Sequence, residues 1–334
     1  RVRVGFCYVV FNVTASSLFL FALGLLYGLL GSLNMAELAV RMANVPPENL
    51  RLVQATCGLL LLVFCAKAAL LPLYLWLPDT YARAPAAVAA LFAVMTKVGL
   101  YALLRVSSLW FGEDAGAMAG FASDWLLVAG LGTLVLAALG VLAATRLRVL
   151  IAYLVLVSAA TLFIAFALGQ VGTIGAGLYY LAHSTFVTAA LFLIADLIRR
   201  RRGPASDRKE IIAPMPGKTG PSLLFLVAAI SVAGLPPLSG FLAKTALLSA
   251  IPAANTAWVW SVVLLSSLMV MVGLSRAGVR LFWRVPVALE AGDVAALPPP
   301  RKAPSRPLET AAAVLLILYG VGMTVAAAPM LRYT

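Results

Sequence analysis

Charge is what this sequence has least of. Asp, Glu, Lys and Arg make up 11% of its 334 residues, against 63% hydrophobic, where a soluble globular domain carries ~25% charged and ~45–50% apolar residues. A water-soluble chain is excluded on that ground. Also missing are the alternating segments of ~10 residues that a transmembrane barrel needs; the apolar runs here are about twice that length. Acidic residues number 12 against 25 Lys and Arg, a net charge of +13, yet no aromatic and basic residues interleave as a nucleic-acid platform requires. The basic residues sit at the junctions between apolar runs instead, where they act as a topology signal.

Cysteine and glycine motifs are equally sparse. Cys7, Cys57 and Cys65 lie in apolar runs without CxxC spacing and read as small core residues rather than a disulfide, zinc or iron–sulfur framework. No GxGxxG or GxxxxGK[ST] signature for a flavin or nucleotide occurs. No cofactor and no nucleic-acid partner is therefore expected, and any redox chemistry would belong to another chain.

What is present is a series of apolar runs long enough to cross the ~30 Å core of a bilayer as helices, the structure that satisfies its own backbone groups there. Nine spans are predicted: Val4–Gly31, Leu50–Leu73, Pro85–Val106, Asp124–Ala144, Leu147–Leu168, Gly172–Ile198, Gly220–Ala250, Thr256–Phe282 and Thr310–Leu331. The connections then alternate between two sides. Arg1 and Arg3, a turn at Asp79–Arg83, Arg146 and Arg148, the Arg199–Lys218 loop and the Arg284–Arg306 loop share one side, which their charge marks as cytoplasmic. Arg41, Glu113 and Asp114, Gly169–Gly172 and Pro252–Thr256 fall on the other, and Arg41 and Arg105 run against the rule. LPPPRKAPSRP, from Leu297 to Pro307, reads as a stiff linker inside one membrane domain. The chain opens on Arg1 with no initiator methionine, so it is expected to be part of a longer protein with helices upstream.

Three lysines lie inside these runs: Lys67 in LLLLVFCAKAALLPLYLWLP, Lys97 in ALFAVMTKVGLYALL and Lys244 in SVAGLPPLSGFLAKTALLSA. A lysine at the bilayer centre costs at least ~2.5 kcal/mol, and residues that expensive mark ion pathways. Pro72 and Pro78 follow Lys67, and Pro236 and Pro237 precede Lys244, so both helices should be interrupted beside their lysine. Interrupted helices carrying a charge build ion-transporter sites, although a packing kink with a snorkelling lysine gives the same local pattern. Lys97 lies ~18 Å along its span, too deep for its stem to reach either surface, and must face protein or water.

His183, the single histidine, sits in LYYLAHSTFVTAALFLIAD with Tyr179, Ser184 and Thr188. It is either an interhelical hydrogen bond or a proton stepping-stone in a polar row with the three lysines. Other polar residues read structurally: Asp79 with Arg83 as an exposed interfacial pair, Asp196 as interface, Asp124 as an N-cap. Gly24, Gly28 and Gly31 read as small-residue packing.

The segment AKAALLPLYLWLPDTYARAPAAVAALFAVMTKVGLYALLRV resembles the signature of the proton-translocating antiporter-like family, which unites large Mrp/Pha cation/proton antiporter subunits with antiporter-like subunits of respiratory complex I. GLPPLSGFLAK resembles the broken-helix lysine segment later in that fold. MTKVGLYALLRV, YYLAHSTFVTAALFLIAD and the opening RVRVGFCYVVFNVTASSLFLFALGLLYGLLGSLNMAELA look most like the D-type branch of the Mrp/Pha group. The resemblance runs over nearly the whole chain.

It implies an all-α polytopic membrane fold of fourteen helices built on inverted five-helix repeats with two broken helices. This chain would supply the sixth to fourteenth: residues 4–106 closing the first repeat, 124–282 forming the second, 284–309 a cytoplasmic linker and 310–331 the terminal helix. It further implies that Lys67 is the lysine of the first broken helix, Lys97 the central-axis lysine, His183 the relay histidine and Lys244 the lysine of the second broken helix. The glutamate partner of the first lysine lies outside this chain, and Thr188 stands where many relatives carry lysine. The implied function is monovalent cation (Na⁺ or K⁺)/H⁺ exchange in a multisubunit complex of a bacterial inner membrane. Partners are the other Mrp/Pha subunits and lipid. A proton-pumping subunit of a complex I-type or hydrogenase-type assembly is the alternative, and an inert scaffold a third reading.

Overall fold

A computed structural model describes residues 2–202, 207, 217–283 and 307–333. Arg1, most of the loop between Arg202 and Gly217, and the Pro/Arg linker with its LPPPRKAPSRP core lie outside the described residues.

The described residues are helical. α1 (Val2–Leu30), α3 (Pro47–Ala68), α5 (Ala86–Trp110), α6 (Ser123–Ala143), α7 (Leu147–Ala167), α8 (Val171–Arg201), α11 (Ala253–Gly278) and α12 (Pro307–Val325) are each long and apolar enough to cross a membrane. α9 (Thr219–Ala233) and α10 (Ser239–Ser249) together occupy the seventh predicted span, which is two helices rather than one. Three short helices complete the set: α2 (Met35–Ala43), α4 (Trp76–Arg83) and α13 (Ala327–Tyr333).

α7 and α8 are apolar on all sides because they are surrounded by protein. α6 packs on α7, α5, α10 and α12 pack on α8, and α1 lies outermost against α3. Most of α1 is exposed, including Phe6, Val9, Val13, Leu20 and Phe21. Cys7 is exposed on the same helix, so it is no core residue, while Cys57 and Cys65 are buried as expected. Gly24 and Gly28 have open space where a Cβ would stand, so they serve no close helix contact among the described residues.

Both interruptions begin in the same way. α3 ends at Ala69 in the left-handed region (φ 62), with Ala69 N–H donating to Ala66 O and Leu70 N–H to Cys65 O. α9 ends at Gly234 (φ 78), whose N–H donates to Ser231 O while Leu235 N–H reaches Ile230 O. This left-handed cap recovers carbonyls that a helix end leaves open. Irregular backbone at membrane depth needs further partners, and Thr133 Oγ1 of α6 accepts from Leu71 N–H (2.9 Å) while Trp76 Nε1 donates to Ala66 O (3.1 Å). Pro72 lies in the first break and Pro236 and Pro237 in the second. Pro78 does not break anything: it stands in the first turn of α4, where its missing N–H has no helical partner to lose.

Several sequence expectations shift locally. Asp79–Arg83 is helical, part of α4 rather than a turn, and its ion pair (3.6 Å) is exposed. Ala122 is the N-cap of α6, with Asp124 in its first turn. Asp196, near the end of α8, is buried in protein, with Arg199 and Arg200 paired to it at 2.7 and 2.5 Å.

Three of the connections assigned to one side meet. Asp79, Arg83, Arg146, Arg148 and Asp207 line a single cavity of ≈ 390 Å³. Asp207 caps α7 from 59 residues away, its Oδ2 accepting from the Arg148 backbone N–H (3.3 Å) and from Arg148 Nε (2.9 Å). Burial works against its charge, but the Arg148 guanidinium outweighs it and holds the Asp207 carboxyl below the usual carboxylate range. Arg200 reaches Glu309 at the start of α12 (3.3 Å), and Lys218 donates to Phe282 O (3.4 Å). On the opposite face Trp110 Nε1 donates to Met35 O (3.1 Å). Arg41, which ran against the charge rule, is neutralised there by Glu37, and the Ser32 hydroxyl and Arg41 together hold that carboxyl below its ordinary range.

Cysteines placed at Arg201 and at Asn255 in the full-length protein should therefore label from opposite sides of the membrane. Impermeant maleimide reacting with both in intact cells would contradict the arrangement.

Candidate functional site

Each intramembrane lysine has a polar partner, and none of the three forms a salt bridge among the described residues. Lys67, in the last turn of α3, donates to Asn12 Oδ1 of α1 (2.9 Å), while Asn12 Nδ2 is fixed by Tyr8 O (2.9 Å). The end of α3 lies directly on α5: a Cβ at Gly99 would stand 3.5 Å from Lys67 Cβ and 3.4 Å from the Ala68 nitrogen. Two residues before Gly99, Lys97 is 2% exposed and donates to Ser158 Oγ of α7, whose own hydroxyl is committed to Val155 O (2.7 Å).

His183 comes from α8 and is 2% exposed. Its Nδ1 is 2.8 Å from Ser239 Oγ at the start of α10, and Tyr180 on its own helix stacks obliquely at 5.9 Å. Lys97 and Lys244 are both within electrostatic reach of the ring. Lys244, one and a half turns into α10, points back across the break. It donates to Ala233 O (2.9 Å) and Val232 O (3.4 Å) at the end of α9 and to Ser267 Oγ of α11 (3.1 Å). An ammonium has three donors, and here all three are met. Two are met by carbonyls at the negative end of a helix, where a cation is favoured.

Glycine makes this closeness possible. At Gly234 a Cβ would lie 2.8 Å from Lys244 Cδ, so the lysine stem runs over a bare Cα. At Gly240 a Cβ would collide with Ser231 O and lie 2.9 Å from His183 Nε2. The second break is thus where α9, α10 and the histidine of α8 converge.

The structure therefore brings Lys97, His183 and Lys244 to one buried polar region and leaves Lys67 on the other side of α5, against Asn12 of α1. Asn12, Ser158, Ser239 and Ser267 were not singled out from sequence; serine is common in membrane helices, and only helix rotation shows which ones face a lysine or histidine. Tyr179 is engaged elsewhere, donating to Met323 O (2.9 Å), and Thr188 spends its hydroxyl on Ser184 O (2.6 Å) of its own helix. Neither points its hydrogen bond into the row.

Two lysine-bearing broken helices and a buried lysine and histidine between long apolar helices define a polytopic helical membrane protein with ionisable side chains in its interior. A family model described as NADH:quinone oxidoreductase/Mrp antiporter, TM matches residues 1–270. The chain belongs to that family.

Among curated relatives, the D subunit of the probable K(+)/H(+) antiporter of Rhizobium meliloti (strain 1021) is 38% identical over 312 residues, covering 85% of this chain and 58% of its own. The D subunit of the Na(+)/H(+) antiporter of Bacillus subtilis (strain 168) is 34% identical over 330 residues, covering 96% and 63%. The chain thus spans roughly three-fifths of the length of these relatives. A chain in the structure of the Mrp complex from Dietzia sp. DQ12-45-1b shares the fold with a TM-score of 0.84 at 24% identity, over 99% of this chain and 66% of that one.

Proposed function

We propose that this chain is part of a proton-conducting subunit of a multisubunit monovalent cation/proton antiporter in a bacterial inner membrane. The observation that carries the reading is the meeting of His183 and the carbonyl-anchored Lys244 at the second helix break, with Lys97 within electrostatic reach of the histidine and Lys67 at the first break. The antiporter names of the relatives support that branch of the family, and with it the other subunits of such a complex as partners.

The chemistry is charge relay, with no covalent step. Lys244 holds a proton against three acceptors and Lys97 against one, so the row is graded in how firmly each ammonium is held. In low dielectric a proton arriving at one member alters the proton affinity of the next, so the members titrate as a coupled set. Loss of the Lys244 proton also weakens the bonds that hold α10 to α9, which ties protonation to the geometry of the break. Asn12 holds Lys67 without opposing charge and leaves it free to pair with a carboxylate supplied by another part of the protein.

The test uses the full-length protein with its partner subunits in everted vesicles. Lys67→Ala and Lys244→Ala should each abolish cation-dependent ΔpH formation at near-normal membrane levels. Wild-type exchange in either variant at matched expression would remove that lysine from the mechanism. The family description also covers NADH:quinone oxidoreductase subunits. That second reading predicts proton movement driven by quinone reduction and indifferent to added Na⁺ or K⁺.

A further inference from the structure

The second break carries a serine whose position is stricter than a helix start requires. Ser239 is fully buried at the first position of α10, and Leu238, not Ser239, is its N-cap. Its hydroxyl is therefore not spent on capping and faces His183 Nδ1 at 2.8 Å. The other ring nitrogen, Nε2, faces the Ser231 carbonyl across Gly240, on the far side of the same break. The imidazole is thus gripped between the end of α9 and the beginning of α10.

The two grips differ chemically. A carbonyl only accepts, so the Ser231 oxygen beside Nε2 favours a proton on that nitrogen. A hydroxyl donates or accepts by rotating, so Ser239 donates to a bare Nδ1 and accepts from Nδ1–H. Nδ1 is then the nitrogen that gains and loses the proton, and the ring keeps its orientation through both states. The titratable groups facing it are Lys97 from α5, Lys244 from α10 and Tyr180 from α8 itself.

We propose that Ser239 is a positioning residue for His183: its hydroxyl holds the imidazole in both protonation states and so couples proton transfer on α8 to the position of α10 and Lys244. The inference rests on the relay reading above. It gives the break a purpose beyond exposing carbonyls, because movement of α10 relative to α9 would release the ring and the lysine together.

The experiment is a double-mutant cycle in the full-length protein, assembled with its partner subunits in everted vesicles. Ser239→Ala should lower cation-dependent exchange at least ~10-fold at wild-type protein levels and change the shape of the pH–rate profile. Ser239→Thr keeps the hydroxyl and should recover both the rate, to within ~3-fold, and the wild-type profile. In a His183→Ala background, Ser239→Ala should have no further effect, since coupled members of one unit are not additive.

Three results overturn the proposal while leaving the relay intact: a wild-type rate and profile in Ser239→Ala, a Thr variant as defective as Ala at equal levels, or an undiminished Ser239→Ala effect without His183. Failure of the relay reading looks different. His183→Ala then exchanges at the wild-type rate, and this inference falls with it.

Discussion

Alanine at position 240 is expected to abolish exchange and to reduce the amount of assembled protein. The added Cβ would collide with Ser231 O and stand 2.9 Å from His183 Nε2. Ordinary overpacking costs ~1–3 kcal/mol because side chains rotate out of the way; a backbone oxygen at a helix end cannot. α10 must instead move off α9, which takes Ser239 from His183 and Lys244 from the Val232 and Ala233 carbonyls. Gly322 is the control, since nothing among the described residues lies within 4 Å of its would-be Cβ, and Gly322→Ala should match wild type. Quantitative immunoblotting with vesicle exchange assays gives the comparison. Equal behaviour of the two variants would mean that the second break is built differently.

Lys97→Ala and His183→Ala should each impair exchange severely, and the double variant should be little worse than the poorer single one. Lys97 has one hydrogen-bond partner among the described residues, Ser158, and lies within electrostatic reach of His183. If the two residues serve one path, removing either already stops it, and the second loss finds nothing left to remove. Independent structural roles would multiply instead. Exchange rates across a range of pH, normalised to membrane levels, separate the cases.

Much of this was legible in the sequence because of where charge and proline fall. A lysine in a run such as LLLLVFCAKAALL costs too much in lipid to be incidental, and prolines beside two of the three marked both breaks. Apolar length alone located the long helices, and the seventh span, split into α9 and α10, is the one that proline divides. Proline was less informative in detail: Pro78 begins a helix, and the first break is set by Ala69 in the left-handed region.

The partners of the charged groups were not legible. Asn12, Ser158, Ser239 and Ser267 become significant only through the rotation of helices far apart in sequence, as with the separation of 56 positions from His183 to Ser239. Asp207 was hidden for the same reason, being the cap of a helix that starts far earlier, at Leu147. α2 escaped because it is short and amphipathic and its Asn34 cap stands in a polar connection.

The central claim is that the row works by releasing and rebinding protons, and Lys97→Arg tests it most directly. Arginine keeps the positive charge but does not give up its proton in a protein. The complete antiporter, purified with this variant and with the wild type, would be reconstituted into liposomes containing a pH-sensitive dye and driven by a Na⁺ or K⁺ gradient. The account predicts cation-dependent proton flux for the wild type and none above background for Lys97→Arg at equal incorporation. Wild-type flux through Lys97→Arg would show that fixed charge suffices at the centre of the row and would contradict the account.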